Sequence, residues 1–189
     1  DCGFRIVYGY TQSDEISLLF HREETVFGRK TRKLNSVLAG EASGYMSLKL
    51  GVPVCFDCRV VPLPNLECVG DYFAWRQEDA HRNSLNAHCY WMLRKKGASP
   101  KEATKVVEGK SVGEKNELLF SENINYNELP NWQKRGIGLY YKTYEKTGFD
   151  PIRQENVTCV RNQIWVDMEL ELGEPYRKWV TGFLFLQKS

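Results

Sequence analysis

The sequence has no run of about 18 apolar residues, the length a helix needs to cross a bilayer, and it lacks the basic and apolar opening of a secretory signal. Both absences predict a cytoplasmic protein with no membrane partner. A strong charge of one sign is missing too, since 26 Lys and Arg stand against 24 Asp and Glu. Attraction to nucleic acid must therefore come from local clusters rather than from net charge. Internal repeats, low-complexity tracts and Pro/Ser-rich linkers are absent, which excludes a solenoid or a beaded chain. An initiator methionine is also absent, and the chain opens directly into a strand-like run at residues 4–8, as a fragment or trimmed chain would.

What is present suffices for one substantial core. The 189 residues are 42% hydrophobic and 13% aromatic, a length that fits one domain or one domain with an appendage. Six cysteines (Cys2, Cys55, Cys58, Cys68, Cys89, Cys159) without a secretory signal predict reduced thiols. Cys55-x-x-Cys58 suggests a zinc-dependent binding protein, but no second such pair or histidine partner follows at finger-like spacing. Residues three apart on a strand also face opposite sides, so core thiols are the expected role.

Phe4, Ile6 and Tyr8 alternate with Arg5 and Val7, and Ile16, Leu18 and Phe20 with Ser17, Leu19 and His21. This period of two predicts two strands joined by a hairpin with a polar, acidic tip. After Gly28, an apolar stripe through Leu34, Val37, Leu38, Ala42, Tyr45 and Leu48 predicts a helix that packs on the sheet and ends at Gly51 and Pro53. Residues 52–62, rich in β-branched side chains, read as a further strand. A long helix follows, with Asp71 as its cap, Gly97 at its end and Leu85, Cys89, Met92 and Leu93 as its buried stripe. Ser99-Pro100-Lys101-Glu102 and Ser111-Val112-Gly113-Glu114 match the capping box and predict two shorter helices. Strand composition returns at residues 137–144, 157–161 and 164–170, with Gly148, Asp150 and Pro151 as turn residues, so a small late sheet is expected. The fold class is α+β, divided into residues 1–136 and a C-terminal unit of strands and tail, residues 137–189, that faces RNA or joins subunits.

Five groups of residues carry candidate chemistry. Asp14 and Glu15 are adjacent acids after a strand, and such like charges are held together by a cation. Mg2+ suits them, because it takes carboxylate oxygens together with substrate phosphates in phosphoryl transfer. Strand neighbours face opposite ways, which makes Asp14 the direct ligand and Glu15 its neighbour. A solvated acidic turn carries the same pair. Arg29, Lys30, Arg32 and Lys33 crowd a helix start, where positive charge opposes the macrodipole and calls for an anion such as a nucleoside triphosphate. Within the long helix His81, Asn83 and Asn86 are poor helix formers that suit a hydrogen-bonding face, with Arg76 and Asp79 extending it. Residues 94–115 hold seven Lys or Arg against three Glu, and Arg153, Arg161, Arg177 and Lys178, with Tyr176 and Trp179 beside them, form a second candidate RNA-facing region.

Taken in order, GYTQSDEISLLF (residues 9–20), the basic helix start, FDCRVV (56–61), DYFAWRQEDAHRNSLN (71–86) and EKNELLFSENINYN (114–127) resemble the tRNA-histidine guanylyltransferase family, over about two-thirds of the chain. The short HRNSLN form resembles the bacterial and archaeal Thg1-like branch. The resemblance implies a palm-like catalytic domain related to polymerases that works in the 3′-to-5′ direction. A tRNA 5′-monophosphate would be activated with ATP or GTP, and the 3′-hydroxyl of an incoming nucleoside triphosphate would then attack it, with two Mg2+ ions assisting. It also implies template-directed 5′-end repair and a homo-tetramer. Position by position, Ser13 and Asp14 match the nucleotide and metal motif with Glu15 beside them, and Arg29 and Lys33 match triphosphate contacts. His81, Asn83, Lys115 and Asn125 match further nucleotide-binding positions, while the final asparagine of the longer family motif falls on Ala87. The family's Asp-Gly-Arg-like motif has no counterpart here, so the resemblance implies that one metal carboxylate lies outside this chain; Asp57 is the nearest substitute. A non-catalytic RNA-binding module is the competing reading.

Overall fold

A computed structural model describes residues 3–186, with side chains placed through residue 183. The fold is α+β. Strand β1 (Ile6–Gln12) turns back into β2 (Glu15–Phe20), and β3 (Ile137–Asp150) and β4 (Glu155–Asp167) complete one antiparallel sheet in the order β2-β1-β3-β4. Helices α1 (Thr31–Leu50), α2 (Leu66–Lys95), α3 (Pro100–Val107), α4 (Val112–Phe120) and α5 (Asn131–Arg135) fill the interval between β2 and β3. Helix α6 (Glu174–Leu186) follows β4.

The late strands thus correct the expectation of a separate late sheet. Tyr8 of β1 lies opposite Tyr140 of β3, which closes the first hairpin and the last one into a single ladder. The two segments expected at 157–161 and 164–170 merge into one strand that ends at Asp167, paired with β3 from Gly138–Asp167 out to Asp150–Glu155. Asp150 makes the turn by accepting from the backbone N–H groups of Ile152 and Arg153 at 2.8 and 3.2 Å. Residues 187–189 of the expected C-terminal unit lie outside the described residues.

Helix α2 has 30 residues, about 45 Å at 1.5 Å per residue, and spans two cores. Its first half places Val69, Phe73 and Ala80 against Tyr8, Tyr10 and Tyr140 of the sheet and against Tyr176 and Val180 of α6. Its second half places Leu85, Cys89 and Met92 against Val107 of α3, Leu119 of α4 and Tyr126. The expected stripe of Leu85, Cys89 and Met92 is therefore buried. The cap, however, is Asn65 rather than Asp71: the Asn65 side chain accepts from Cys68 N–H at 2.8 Å and the helix begins six residues earlier than Asp71 would place it. Both capping boxes form as expected, at Ser99 with Glu102 and at Ser111 with Glu114.

Three other expectations are corrected. Residues 52–62 form no strand. Prolines 53 and 62 remove ladder donors, and the segment is tied instead to α1, where Ser47 Oγ accepts from Val54 N–H at 2.8 Å and Ser43 Oγ from Phe56 N–H at 2.8 Å. Cys55 is exposed and Cys58 half-buried, so this pair is not a core thiol pair, and among the described residues no group of three or more His, Cys, Asp or Glu is placed to hold a metal. Helix α1 covers little of the sheet, since its stripe is buried at Leu34, half-buried as far as Ala42 and exposed at Tyr45 and Leu48. No helix among the described residues is long and apolar enough to cross a membrane.

Candidate functional site

The hairpin tip is a two-residue turn, Ser13-Asp14, closed by the pair Gln12 and Glu15. Ser13 sits at φ 56°, a left-handed backbone that a non-glycine residue adopts only where its surroundings hold it. Both turn residues are exposed, so the Asp14 carboxylate is open to solvent. Glu15 differs: its carboxylate is paired with Arg76 of α2, whose side chain is only 12% exposed. The cation that resolves the adjacent-acid problem for Glu15 is thus supplied by the protein. Arg76 in turn lies 3.8 Å from Asp79, which accepts from Arg82 at 3.0 Å and from the Asn83 amide at 3.2 Å.

Below the tip, the short helix α5 ties β1 to α2. The Gln133 carbonyl accepts from Gln12 Nε2 at 3.2 Å and from Ser84 Oγ at 2.7 Å, and the Arg135 carbonyl accepts from Tyr10 at 3.0 Å. Lys134 is buried and donates to the Asn127 carbonyl at 2.7 Å, and its burial pulls its pKa below the usual lysine range. None of these α5 contacts was foreseen, because a five-residue helix leaves no periodicity to read.

The expected triphosphate residues lie at the entry to α1. Phe27, Gly28 and Arg29 run consecutively at φ 55°, 59° and 54°, a left-handed stretch that only Gly28 adopts without steric cost. Glu24 holds it in place, accepting from the backbone N–H groups of Arg5, Thr25 and Val26 at 2.6–2.8 Å, and these bonds, led by the one from Arg5, lower its pKa. The Arg29 guanidinium donates to the carbonyls of Arg22 and Glu24, both at 3.1 Å, so part of its fork is used within the loop. Lys33 is exposed one turn further on. Helix α1 starts with no side-chain cap and no acid in its first turn. Its first amide groups and four cations suit an anion.

The remaining nucleotide-binding candidates lie along the second half of α2 and on the elements packed against it. The His81 ring packs against Tyr126 at 5.5 Å, and His81 carbonyl accepts from the Tyr126 hydroxyl at 3.2 Å. Burial lowers its pKa, so the imidazole stays neutral near pH 7. Lys115 is half-buried and lines an open cleft of about 520 Å³ with Asn86, Tyr90, Trp91 and Thr104. Asn125 caps a short 3-10 turn at Tyr126–Glu128 and donates to the Glu128 carboxylate at 2.8 Å. Asp57 is exposed on the irregular segment after α1.

In the second candidate RNA-facing region, Tyr176 and Trp179 do not form an exposed stacking surface. Tyr176 is buried, with its hydroxyl 2.8 Å from that of Tyr8, and Trp179 stacks on Tyr176 and Phe183 within the core. Burial pushes the Tyr8 and Tyr176 pKa values far up. Arg177 pairs with Asp71 of α2 and Lys178 lies 3.6 Å from Glu174. The aromatic face of α6 therefore docks on α2 and the sheet, while Lys178 is exposed. Arg153 sits in the β3–β4 turn, 3.9 Å from Asp150, and Arg161 stands on β4 opposite Tyr144.

The family model for tRNAHis guanylyltransferase matches residues 1–64, and the model for the Thg1 C terminal domain matches residues 67–167. The chain belongs to the tRNAHis guanylyltransferase family. It is 39% identical over 192 aligned positions to a probable tRNA(His) guanylyltransferase of Drosophila melanogaster, covering 94% of this chain and 65% of that protein. For the mouse counterpart the identity is 34%, covering 78% of this chain and 53% of that protein. The chain thus spans between about half and two-thirds of the length of these guanylyltransferases. Among solved structures, a bacterial Thg1-like protein in complex with ATP superposes with a TM-score of 0.68 at 28% identity, over 96% of this chain and 72% of that one. The tRNA(His) guanylyltransferase of Saccharomyces cerevisiae superposes with a TM-score of 0.62 at 33% identity, over 71% of this chain and 64% of that one.

Asp14 alone fits one Mg2+ whose other ligands are water and phosphate oxygens. It does not fit two ions, because Glu15 is engaged by Arg76 and Asp57 belongs to another segment.

Proposed function

We propose that this chain carries the nucleotidyl-transfer part of a tRNA 5′-end nucleotidyltransferase that adds nucleotides in the 3′-to-5′ direction. The observation that carries the reading is the exposed Ser13-Asp14 turn, held on α2 and lying in a chain of this family. Bound Mg2+ would polarise phosphate oxygens and offset charge in the transition state. Asp14 is the ligand this chain offers; the two-ion form requires a further carboxylate besides it. Arg29, Lys33 and the amide groups at the start of α1 hold the triphosphate of ATP or GTP, and Asn83, Lys115 and Asn125 contact the nucleotides. His81, neutral and packed on Tyr126, orients this part of α2. The protein is proposed to repair 5′ ends against a template, in the cytoplasm and as a tetramer.

The RNA contact is assigned to one face of the β3–β4 ribbon. Residues directly opposite in an antiparallel pair share a face, which groups Tyr140, Lys142, Tyr144 and Lys146 with Trp165, Gln163, Arg161 and Cys159. The middle of that face, from Tyr140 to Lys146, carries three cations and no acid beside an exposed Tyr144 and Trp165, with Asp167 at one end of it and Asp150 and Glu155 at the other. The other face carries Glu145 with Tyr141, Val160 and Ile164. Charge and stacking favour the first for RNA.

The test uses full-length protein and a radiolabelled 5′-monophosphate tRNA lacking its first nucleotide. Extension with Mg2+ and nucleoside triphosphates is expected, and Asp14→Ala should abolish it. Tight tRNA binding without any extension would instead support a non-catalytic RNA-binding module.

A further inference from the structure

Tyr72, Arg76, Asp79 and Asn83 are spaced four, three and four residues apart on α2, so they form one stripe along a single helix face. The stripe grips β2 at two points. Tyr72 and Ser17 share a hydroxyl–hydroxyl hydrogen bond at 3.3 Å, and Arg76 pairs with Glu15. Glu15 and Ser17 are two apart on a strand and so face the same way. Arg76 also lies 5.1 Å over the Trp75 ring and reaches Asp79, which accepts from Asn83. The result is a continuous polar chain, Glu15–Arg76–Asp79–Asn83, from the hairpin tip to a helix position expected to contact nucleotide.

We infer that Arg76 is a positioning residue that fixes the hairpin tip, and therefore Asp14, relative to α2, and that Glu15 acts on the site only through Arg76 rather than as a second metal-binding carboxylate. The inference rests on the reading of Asp14 given above. Its physical basis is that residues 13–16 are exposed and so have little packing to hold them, while Ser13 has a backbone that relaxes unless held. On the β1 side the tip is held by Gln12, bonded to the Gln133 carbonyl. On the β2 side Glu15 makes the link. A guanidinium suits this role because its planar fork serves two carboxylates at once, which an ammonium does less well.

The experiment compares full-length wild type, Glu15→Gln, Arg76→Met and the double variant, free of metal and nucleotide. Amide hydrogen exchange at residues 12–16 is the first readout and Mn2+ affinity by electron paramagnetic resonance the second. Each single variant should speed exchange at the tip by about fivefold, the scale an ion pair of this exposure supports. The double variant should be no faster than either, and Glu15→Gln should cost no Mn2+ affinity once Arg76 is replaced. Unchanged exchange in Arg76→Met overturns the inference. So does an equal loss of Mn2+ affinity from Glu15→Gln with and without Arg76, which would make Glu15 a direct ligand. If Arg76→Met fails to fold, Arg76→Lys takes its place, with faster exchange at the tip again expected and unchanged exchange again overturning the inference. Asp14→Ala with full Mn2+ affinity would sink the metal reading of Asp14 while leaving the exchange result to decide the role of Arg76.

Discussion

Replacing Gly70 with alanine probes the contact that joins α6 to α2. A Cβ built at Gly70 would lie 2.2 Å from Thr181 Oγ1 and 3.4 Å from the Arg177 carbonyl, so the Thr181 hydroxyl has to move. That hydroxyl donates to the Arg177 carbonyl at 2.9 Å, and turning it away gives up a bond of about 1 kcal/mol. Overpacking a fitted contact costs about 1–3 kcal/mol in total. Against this, alanine is favoured over glycine in a helix interior by about 1 kcal/mol. The sum is a net loss of about 1 kcal/mol, which lowers the midpoint of a domain this size by about 2–4 °C. In a Thr181→Ala background the clash is gone, only the helix preference remains, and the same Gly70→Ala change should raise the midpoint by a similar amount. Thermal unfolding followed by circular dichroism on the four proteins of this cycle measures both. Stabilisation by Gly70→Ala in both backgrounds would refute the close approach of α6 to α2.

Two further outcomes follow from charge. Burial lowers the pKa of His81 and of His88, both of which pack against Tyr126, so the unfolded chain takes up protons that the folded one resists. Stability should therefore be fully present above about pH 6.5 and fall as pH drops below that value, and urea unfolding at pH 7.5 and 5.5 would show it, with His81→Gln flattening the dependence. A separate loss should follow at lower pH, where Glu24, Glu102 and Glu114 protonate, because hydrogen bonds hold their pKa values below the ordinary range. On the β3–β4 ribbon, replacing Lys142 and Arg161 together by Glu should weaken tRNA binding and reduce the salt dependence by about 2 charges. Replacing Thr143 and Asn162 by Glu on the opposite face should leave binding unchanged in a filter-binding titration.

Local signals were legible wherever the answer depended on neighbours in sequence. The alternation at residues 4–8 and 16–20 pointed to the hairpin's strands, which run Ile6–Gln12 and Glu15–Phe20, and both serine capping boxes formed where their spacing placed them. Residues 52–62 misled because β-branched composition measures fit to a pleated surface, and the segment found serine hydroxyls of α1 instead of a sheet partner. Tyr176 and Trp179 misled in the opposite direction. Beside Arg177 and Lys178 they looked like a stacking surface, yet the aromatic face of α6 is buried and its two cations answer Asp71 and Glu174. Composition could not distinguish these cases.

By itself the sequence determined helices α1 to α4, the first hairpin with its exposed Asp14, and enough ordered motifs to point to the tRNAHis guanylyltransferase family. These rest on periodicity, capping and turn chemistry, which act over a few residues. Only the tertiary structure decided that β3 pairs with β1, that α2 serves two cores, and that the partner of Glu15 is Arg76. Each of these joins residues far apart along the chain. Such pairings depend on which faces the packed helices and strands present to one another, and no local pattern carries that information.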